Sequence, residues 1–259
     1  MPKYTIFTQI LNDLDFFLRK NIKFSRKGLK INNEDKNKLF SDGNLIVKED
    51  EYSNEYNLKK IKNNSTKRNY LETLYTIEIL EKAFNLNSHL EKAKILDIGS
   101  KNWFYAQGEY SYFSKWHKSL ELTGVELDGY RVYSDFYSRK DYAEYYIKNL
   151  QNTKYIIDNL LNIDGEYDYI TWFLPFVAEA PLINWGLPLR EFQPELLLKK
   201  AYSLLKQNGK MLIVNQGINE FEIQKDLLNR LSIPYDEIGK IESAFLEYQH
   251  DRFAVIVKK

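Results

Sequence analysis

The sequence predicts an α/β protein: a doubly wound, mostly parallel seven-stranded sheet with an antiparallel last strand, preceded by a mainly helical N-terminal extension. Three observations lead there. From Lys94 onward, short apolar runs alternate with helical segments, the pattern of buried parallel strands crossed over by helices. Several of these runs end in an acid and a turn, as in Ile95-Leu96-Asp97-Ile98-Gly99. The chain closes with two strand-like segments, Glu237–Ser243 and Arg252–Lys258, near enough to pair as an antiparallel ribbon.

The elements follow in chain order. Ile6, Phe7, Ile10, Leu11, Leu14, Phe17 and Leu18 make one helical face over residues 5–20. Residues 21–64 are polar and irregular, with short strands expected around Gly28–Ile31 and Asn44–Val47 and a turn at Ser41-Asp42-Gly43. The basic run Lys59–Arg68 reads as a loop, after which Ser65 or Thr66 caps a helix running to about Phe84. Lys94–Ile98 is the first strand and residues 104–118 a helix, in which Gly108 is unfavourable. A second strand covers Leu120–Glu126, a tyrosine-rich helix Gly129–Lys148, and third and fourth strands Lys154–Asp158 and Tyr167–Phe173. Pro194 and Gly209 bracket a helix over Glu195–Gln207. A fifth strand, Lys210–Asn215, and a helix, Asn219–Leu231, lead into the closing ribbon.

Bulk properties exclude several function classes. The chain has 259 residues, room for one large α/β domain with an extension. The division read from the pattern is an extension over 1–68, able to cap a substrate site, and an α/β domain over 69–259. With 37 basic and 36 acidic residues there is no global field to recruit nucleic acid or an anionic membrane. Without cysteine there is no disulfide, thiolate nucleophile or cysteine zinc site. His89, His117 and His250 are too dispersed for a histidine metal centre, so no metal is expected. The N-terminal stretch does not read as a leader, and no run of about 20 apolar residues spans a bilayer. The expectation is a cytoplasmic protein with no membrane partner.

In an open α/β sheet, ligands bind beyond the carboxyl ends of the strands. Gly99 lets backbone approach a ligand. Glu126, one strand–helix–strand unit later, can accept hydrogen bonds from vicinal ribose hydroxyls. Asp158 and Asn159 offer an acceptor and donors to the edge of a base. The plain alternatives are a solvated strand-end acid and a simple turn. Asp97 either orients the glycine turn or meets a ligand ammonium.

The stretch Ile95–Asn102, followed by Glu126, Asp158 and Tyr167–Phe176, resembles the class I S-adenosylmethionine-dependent methyltransferases over about residues 70–259. In that family the acid precedes the glycine, as Asp97 precedes Gly99; a dinucleotide-binding turn places its glycines straight after the strand. The resemblance implies S-adenosylmethionine as cofactor. It places Asp97, Gly99 and Ser100 on the methionine side with Lys101 and Asn102, Glu126 and Leu127 at the ribose, and Asp158, Asn159 and Leu160 at the adenine. Phe173 and the residues after it would meet the methionine part and the substrate. The family's two later glycine positions hold Lys101 and Trp103 here. Lys101 therefore brings a long cation to the pocket, directed at solvent, an acid or a substrate carboxylate.

The segment after the fourth strand is the expected acceptor side. Four of the six prolines lie between 175 and 194, which restricts an irregular loop to few shapes. Phe176, Trp185, Leu187 and Leu189 could wall an apolar pocket, with Glu179, Arg190 and Glu191 as polar handles, and Leu174 and Pro175 are further candidates for the substrate side. Phe173-Leu-Pro-Phe176 lacks the amide or acid of the amino-methylating motif Asn/Asp-Pro-Pro-aromatic, so methylation of a nucleobase amine is not expected. An oxygen or nitrogen acceptor can need a base, but the sequence names no catalytic residue.

The favoured expectation is methyl transfer to an oxygen or nitrogen of a small molecule with apolar surface. An RNA or protein acceptor, supported by the basic run at 59–68, stays open, as does a non-catalytic S-adenosylmethionine-binding or scaffold module with an altered glycine turn. Helix Ile6–Leu18 either lies across the pocket or mediates a dimer. The sequence does not fix the oligomeric state.

Overall fold

The computed structural model describes residues 5–87 and 89–259. Residues 1–4 of the extension read over 1–68 lie outside the described residues. Helices are α1 (Ile6–Ile22), α2 (Gly43–Glu55), α3 (Lys59–Asn63), α4 (Lys67–Phe84), α5 (Ala106–Trp116), α6 (Arg139–Ile147), α7 (Glu179–Asn184), α8 (Pro194–Leu204) and α9 (Gly217–Arg230). Strands are β1 (Leu90–Ile98), β2 (His117–Glu126), β3 (Thr153–Ile157), β4 (Tyr167–Phe173), β5 (Leu205–Gln216), β6 (Tyr235–Ile241) and β7 (Arg252–Lys258).

The seven strands form one sheet in the order β3-β2-β1-β4-β5-β7-β6. Strands β1 to β5 run parallel, and β7 lies antiparallel between β5 and β6. This is the doubly wound sheet with a reversed last strand that the alternation predicts. Because successive side chains point to opposite faces, each central strand feeds two cores. Ile95, Leu122 and Leu212 pack on one face with Tyr70, Leu74 and Ile77 of α4, Phe113 of α5 and Ala143 of α6. Leu96, Ile170 and Ile213 pack on the other with Leu198 of α8 and Phe221 and Leu228 of α9. The first cluster reaches back to Tyr56 and Leu58, ahead of α4.

Thr66 caps α4 as expected, its side chain accepting the Asn69 N–H. Gly108 sits in α5 because α4 presses against it: a Cβ there would lie 2.9 Å from the Thr73 carbonyl oxygen and from Thr76 Cβ. Close helix contact outweighs the helix propensity of glycine.

Several expectations are corrected. Residues 28–31 carry no strand, and 44–47 belong to α2, where the Asp42 side chain accepts the Asn44 N–H and starts a helix in place of a turn. Part of the basic run forms α3. The tyrosine-rich helix starts ten residues later than expected, at Arg139, because Ser138 and Asp141 make a reciprocal capping box. Strands β1, β2 and β5 begin earlier than read, at Leu90, His117 and Leu205, so the preceding helices α5 and α8 end sooner and Gly209 lies within β5. These boundaries shift because tertiary pairing extends strands beyond their apolar centres.

Replacing Gly108 by alanine should lower unfolding stability by about 1–3 kcal/mol through overpacking, although alanine is the better helix former by about 1 kcal/mol. Urea unfolding measures this; an unchanged or raised stability would show that α4 and α5 are not in close contact.

Candidate active site

A cleft of about 720 Å³ opens beyond the carboxyl ends of β1, β2, β4 and β5. It lies where the strand order reverses, between β1 and β4. Its floor begins at the turn after β1. Gly99 takes φ +72°, and the position of an added Cβ is open space. Lys101 and Trp103 take φ 53° and 48°, the left-handed backbone usually given to glycine. The turn thus keeps a glycine-like path without those two glycines. The Trp103 side chain is accommodated below: it is fully buried, and a Cβ on Gly124 of β2 would come within 2.8 Å of its ring.

Under this turn lies a buried polar cluster. Asp97 of β1 and Thr171 of β4 are register partners facing α5. The Tyr105 hydroxyl donates to Asp97 Oδ2 at 2.9 Å, and Trp103 Nε1 donates to Glu109 Oε2 at 2.9 Å. Thr171 Oγ1 lies 3.0 Å from Asp97 Oδ1 and 2.6 Å from Glu109 Oε1. One hydroxyl proton serves only one of these contacts, so a carboxyl proton serves the other. Burial pushes Asp97 up to about 7, and burial together with the neighbouring Asp97 raises Glu109 well above the usual carboxylate range. Asp97 is therefore spent inside the fold and does not line the cleft. Ser100 is also buried, its hydroxyl donating to the Asp97 carbonyl at 3.1 Å. Ser100 and Asn102 are likewise absent from the cleft wall; Gly99, Lys101, Glu126, Leu127, Asp158, Asn159, Leu160 and Phe173 line it.

Glu126 ends β2 at the cleft edge. Its Oε2 accepts the Lys101 N–H at 2.8 Å, and its Oε1 accepts the Asp128 N–H at 2.9 Å and Arg139 Nη1 at 3.1 Å. Four lone-pair positions minus three donors leave capacity on Oε2. For Arg139, burial pulls the pKa down, but Glu126 and Asp128 more than offset it, and the net shift is upward. Asp158 Oδ1 accepts the Asn159 N–H and Asn162 Nδ2, each at 2.7 Å, and Asn159 Oδ1 accepts the Leu161 N–H at 2.9 Å. Those bonds fix the loop after β3 while its edge faces the cleft.

The proline-rich segment after β4 forms the lid. Leu174, Pro175, Phe176 and Trp185 line the cleft, whereas Glu179 and Arg190 do not. Arg190 is turned outward to an ion pair with Asp13 of α1, and Glu179 is an exposed residue in the first turn of α7. The lid is held by its backbone. Asn12 of α1 donates to the carbonyls of Ile183 (3.0 Å) and Leu187 (3.2 Å); Arg19 and Arg131 both donate to the Gly186 carbonyl at 3.1 Å. Lys101 Nζ sits 4.8 Å from the Trp185 ring centroid, and the Arg139 guanidinium carbon 5.4 Å. Burial and the neighbouring Arg139 lower the Lys101 pKa.

The far wall was not read from the sequence. It comes from α4 (Arg68, Glu72, Tyr75), α9 (Glu220, Gln224), the loop before β7 (Tyr248) and the first residue of β7 (Arg252). Glu72 is engaged by the Arg68 guanidinium and the Tyr248 hydroxyl. Glu220 Oε2 accepts the Gln216 N–H at 3.2 Å, and burial raises its pKa. Gln224 is buried, and its Nε2 has no hydrogen-bond partner among the described residues. The one available signal was spacing: Glu220 and Gln224 sit four apart on a helix that begins at a strand's carboxyl end. His117, read as late in a helix, instead opens β2 and is buried against Tyr169. Neither it nor His250 lines the cleft.

No protein-family model and no curated protein matches the chain. Among solved structures, it is similar to a S-adenosylmethionine-dependent methyltransferase from Aquifex aeolicus, at 13% identity over 72% of this chain and 90% of that one, with a TM-score of 0.50. It is also similar to a putative S-adenosyl-L-methionine-dependent methyltransferase from Methanococcus maripaludis, at 14% identity over 90% and 97% of the two chains, with a TM-score of 0.48. The fold is that of the class I S-adenosylmethionine-dependent methyltransferases.

The acid pair under the turn makes stability depend on pH. Its folded pKa values exceed the unfolded ones, so its contribution is fully present below about pH 4 and is lost as pH rises toward 7. Each extra proton held by the folded state lowers stability by about 1.4 kcal/mol per pH unit across that window. Glu109→Gln should flatten the fall and raise stability at pH 8. Chemical unfolding across pH tests this; parallel curves for parent and variant would refute the shared proton.

Proposed function

We propose that the protein transfers the methyl group of S-adenosylmethionine to an oxygen or nitrogen atom of a small molecule with apolar surface. The observation that carries this reading is the cleft, whose one end is built from strand-end turns and whose other end is lined by Leu174, Pro175, Phe176, Trp185 and Leu227. Its volume falls within the roughly 300–1,000 Å³ of small-molecule sites.

The residues present fit the cofactor. The open space at the Gly99 Cβ position admits a ligand against the backbone. Glu126 keeps acceptor capacity for ribose hydroxyls, and the loop at Asp158, Asn159 and Leu160 offers polar edges and an apolar surface to a base. Asp97 supports the turn from beneath, in place of the ligand contact expected of it, and Ser100 does the same. Lys101, at the cleft surface and without a carboxylate within ion-pair distance among the described residues, is the natural partner of a carboxylate at the methionine end.

When bound, S-adenosylmethionine supplies an electrophilic methyl on a sulfonium. The chain's own task is then to hold an acceptor in line and exclude water. The lid residues Phe176 and Trp185 provide an apolar wall for the acceptor. Glu220 is the carboxylate best placed to receive the acceptor's proton: it lines the cleft and, among the described residues, makes no ion pair within 4 Å and has one oxygen uncommitted. Glu72 is tied up by Arg68 and Tyr248, and Glu126 is assigned to the ribose. In the basic run, Lys62 is paired with Glu49 at 2.7 Å and Arg68 with Glu72, so two of its five cations are engaged within the fold.

Calorimetric titration tests the reading with S-adenosylmethionine and S-adenosylhomocysteine. Both should bind with micromolar affinity, and Glu126→Ala should weaken them at least about tenfold, the loss of one charge-assisted hydrogen bond. No heat at millimolar ligand would overturn the enzymatic reading, and unchanged affinity in Glu126→Ala would overturn the ribose assignment.

A further inference from the structure

Helix α1 is docked the wrong way round for a helix of a monomer. Its polar side faces the protein: Asn12, Phe16 and Arg19, spaced for one helical face, hold the lid, with Phe16 buried against Leu182, Ile183 and Leu187. Its apolar side faces solvent, with Ile6 77% exposed, Phe7 67%, Leu14 52% and Phe17 57%. At 3.6 residues per turn, the eight exposed apolar side chains of α1 occupy a continuous arc of about 160°. The hydrogen bonds to the lid backbone prevent the helix from rolling over to bury that arc. Exposed patches of this size mark interaction surfaces.

We infer that this face pairs with the same face of a second copy of the chain, as two antiparallel α1 helices across a two-fold axis at Leu14. The argument is the symmetry of the pattern. Measured from Leu14, Ile6 and Ile22 are equidistant, as are Ile10 and Leu18, and Leu11 and Phe17. In an antiparallel pair centred on Leu14, each therefore stands level with an apolar residue of the other copy, and Leu14 meets itself. This is the self-complementarity that an isologous interface requires. The pattern is broken at one position, where Phe7 stands level with Asn21 near the interface end. The area also suffices. Eight side chains leaving on the order of 100 Å² each in water supply roughly the 800 Å² per partner of a standard interface. Since the opposite side of α1 holds the lid, the dimer braces both lids from outside the cleft.

Sedimentation velocity on the full chain tests the proposal, with Leu14→Asp as the disrupting variant and circular dichroism as the control for folding. The parent should be a dimer at about 10 μM, and Leu14→Asp should weaken association at least about 100-fold by placing two carboxylates face to face. The absence of cysteine allows a second test that does not depend on disruption. Under mild oxidation, Leu14→Cys should form a covalent dimer at the axis. Asn21→Cys should not, because its two copies lie about 20 Å apart in this register, at 1.5 Å rise per residue. A monomeric parent, a dimer unaffected by Leu14→Asp, or cross-linking through Asn21→Cys in preference to Leu14→Cys would each overturn the proposal. A monomer that co-sediments with phosphatidylcholine–phosphatidylserine vesicles would do the same and assign the face to a lipid surface.

Discussion

Two carboxyl groups enclosed together under a ligand-facing turn are the constraint on which the rest of this structure depends. Asp97 and Glu109 are fully buried and share contacts with Thr171, Tyr105 and Trp103. Burying one carboxylate without partners is costly, and burying two beside each other forces a proton onto the pair. The cluster joins β1, β4, the turn and α5 through side chains alone. It places the Tyr105 ring against Phe173, with centroids 5.2 Å apart, and so links the floor of the cleft to the end of β4. The polar cost is met by complete pairing, which also fixes one geometry for the turn above.

Charge carries that order outward to the lid. Glu126 accepts the Lys101 N–H and binds Arg139, and Asp128 is held by Arg19 at 2.9 Å and Arg131 at 2.8 Å. Arg19 and Arg131 reach on to the Gly186 carbonyl, beside Trp185. A continuous set of contacts therefore runs from the strand-end acids through three arginines to the residues that cover the cleft. Because Arg19 belongs to α1, the extension holds the lid from outside the cleft. The pairs are largely buried on the acidic side, so they are screened less than surface ion pairs.

The alternation of strands and helices, the acid–glycine order after β1 and the acids at Glu126 and Asp158 were legible in the sequence, because burial and backbone freedom leave periodic local marks. Eight of the residues read for the cofactor end do line the cleft, as do the four lid residues Leu174, Pro175, Phe176 and Trp185. Sequence proximity offers Glu179, Arg190 and Glu191 as polar handles, and of these Glu191 lines the cleft. Arg190 instead answers to Asp13, a residue far away in the chain.

What the sequence by itself determined is the type and order of elements from β1 onward and the side of the sheet on which ligands meet it. Both follow from hydrophobic period and chain direction, which are local properties. The tertiary structure alone decided which side of each polar residue counts. It turned Asp97 inward to a shared proton. It filled the place of a missing glycine with Trp103 because Gly124, on the neighbouring strand, leaves room. It brought Arg68, Glu220 and Arg252 to one wall, and it docked α1 by its polar side. Each of these depends on contacts between residues distant in sequence, and no single segment carries a record of its partner.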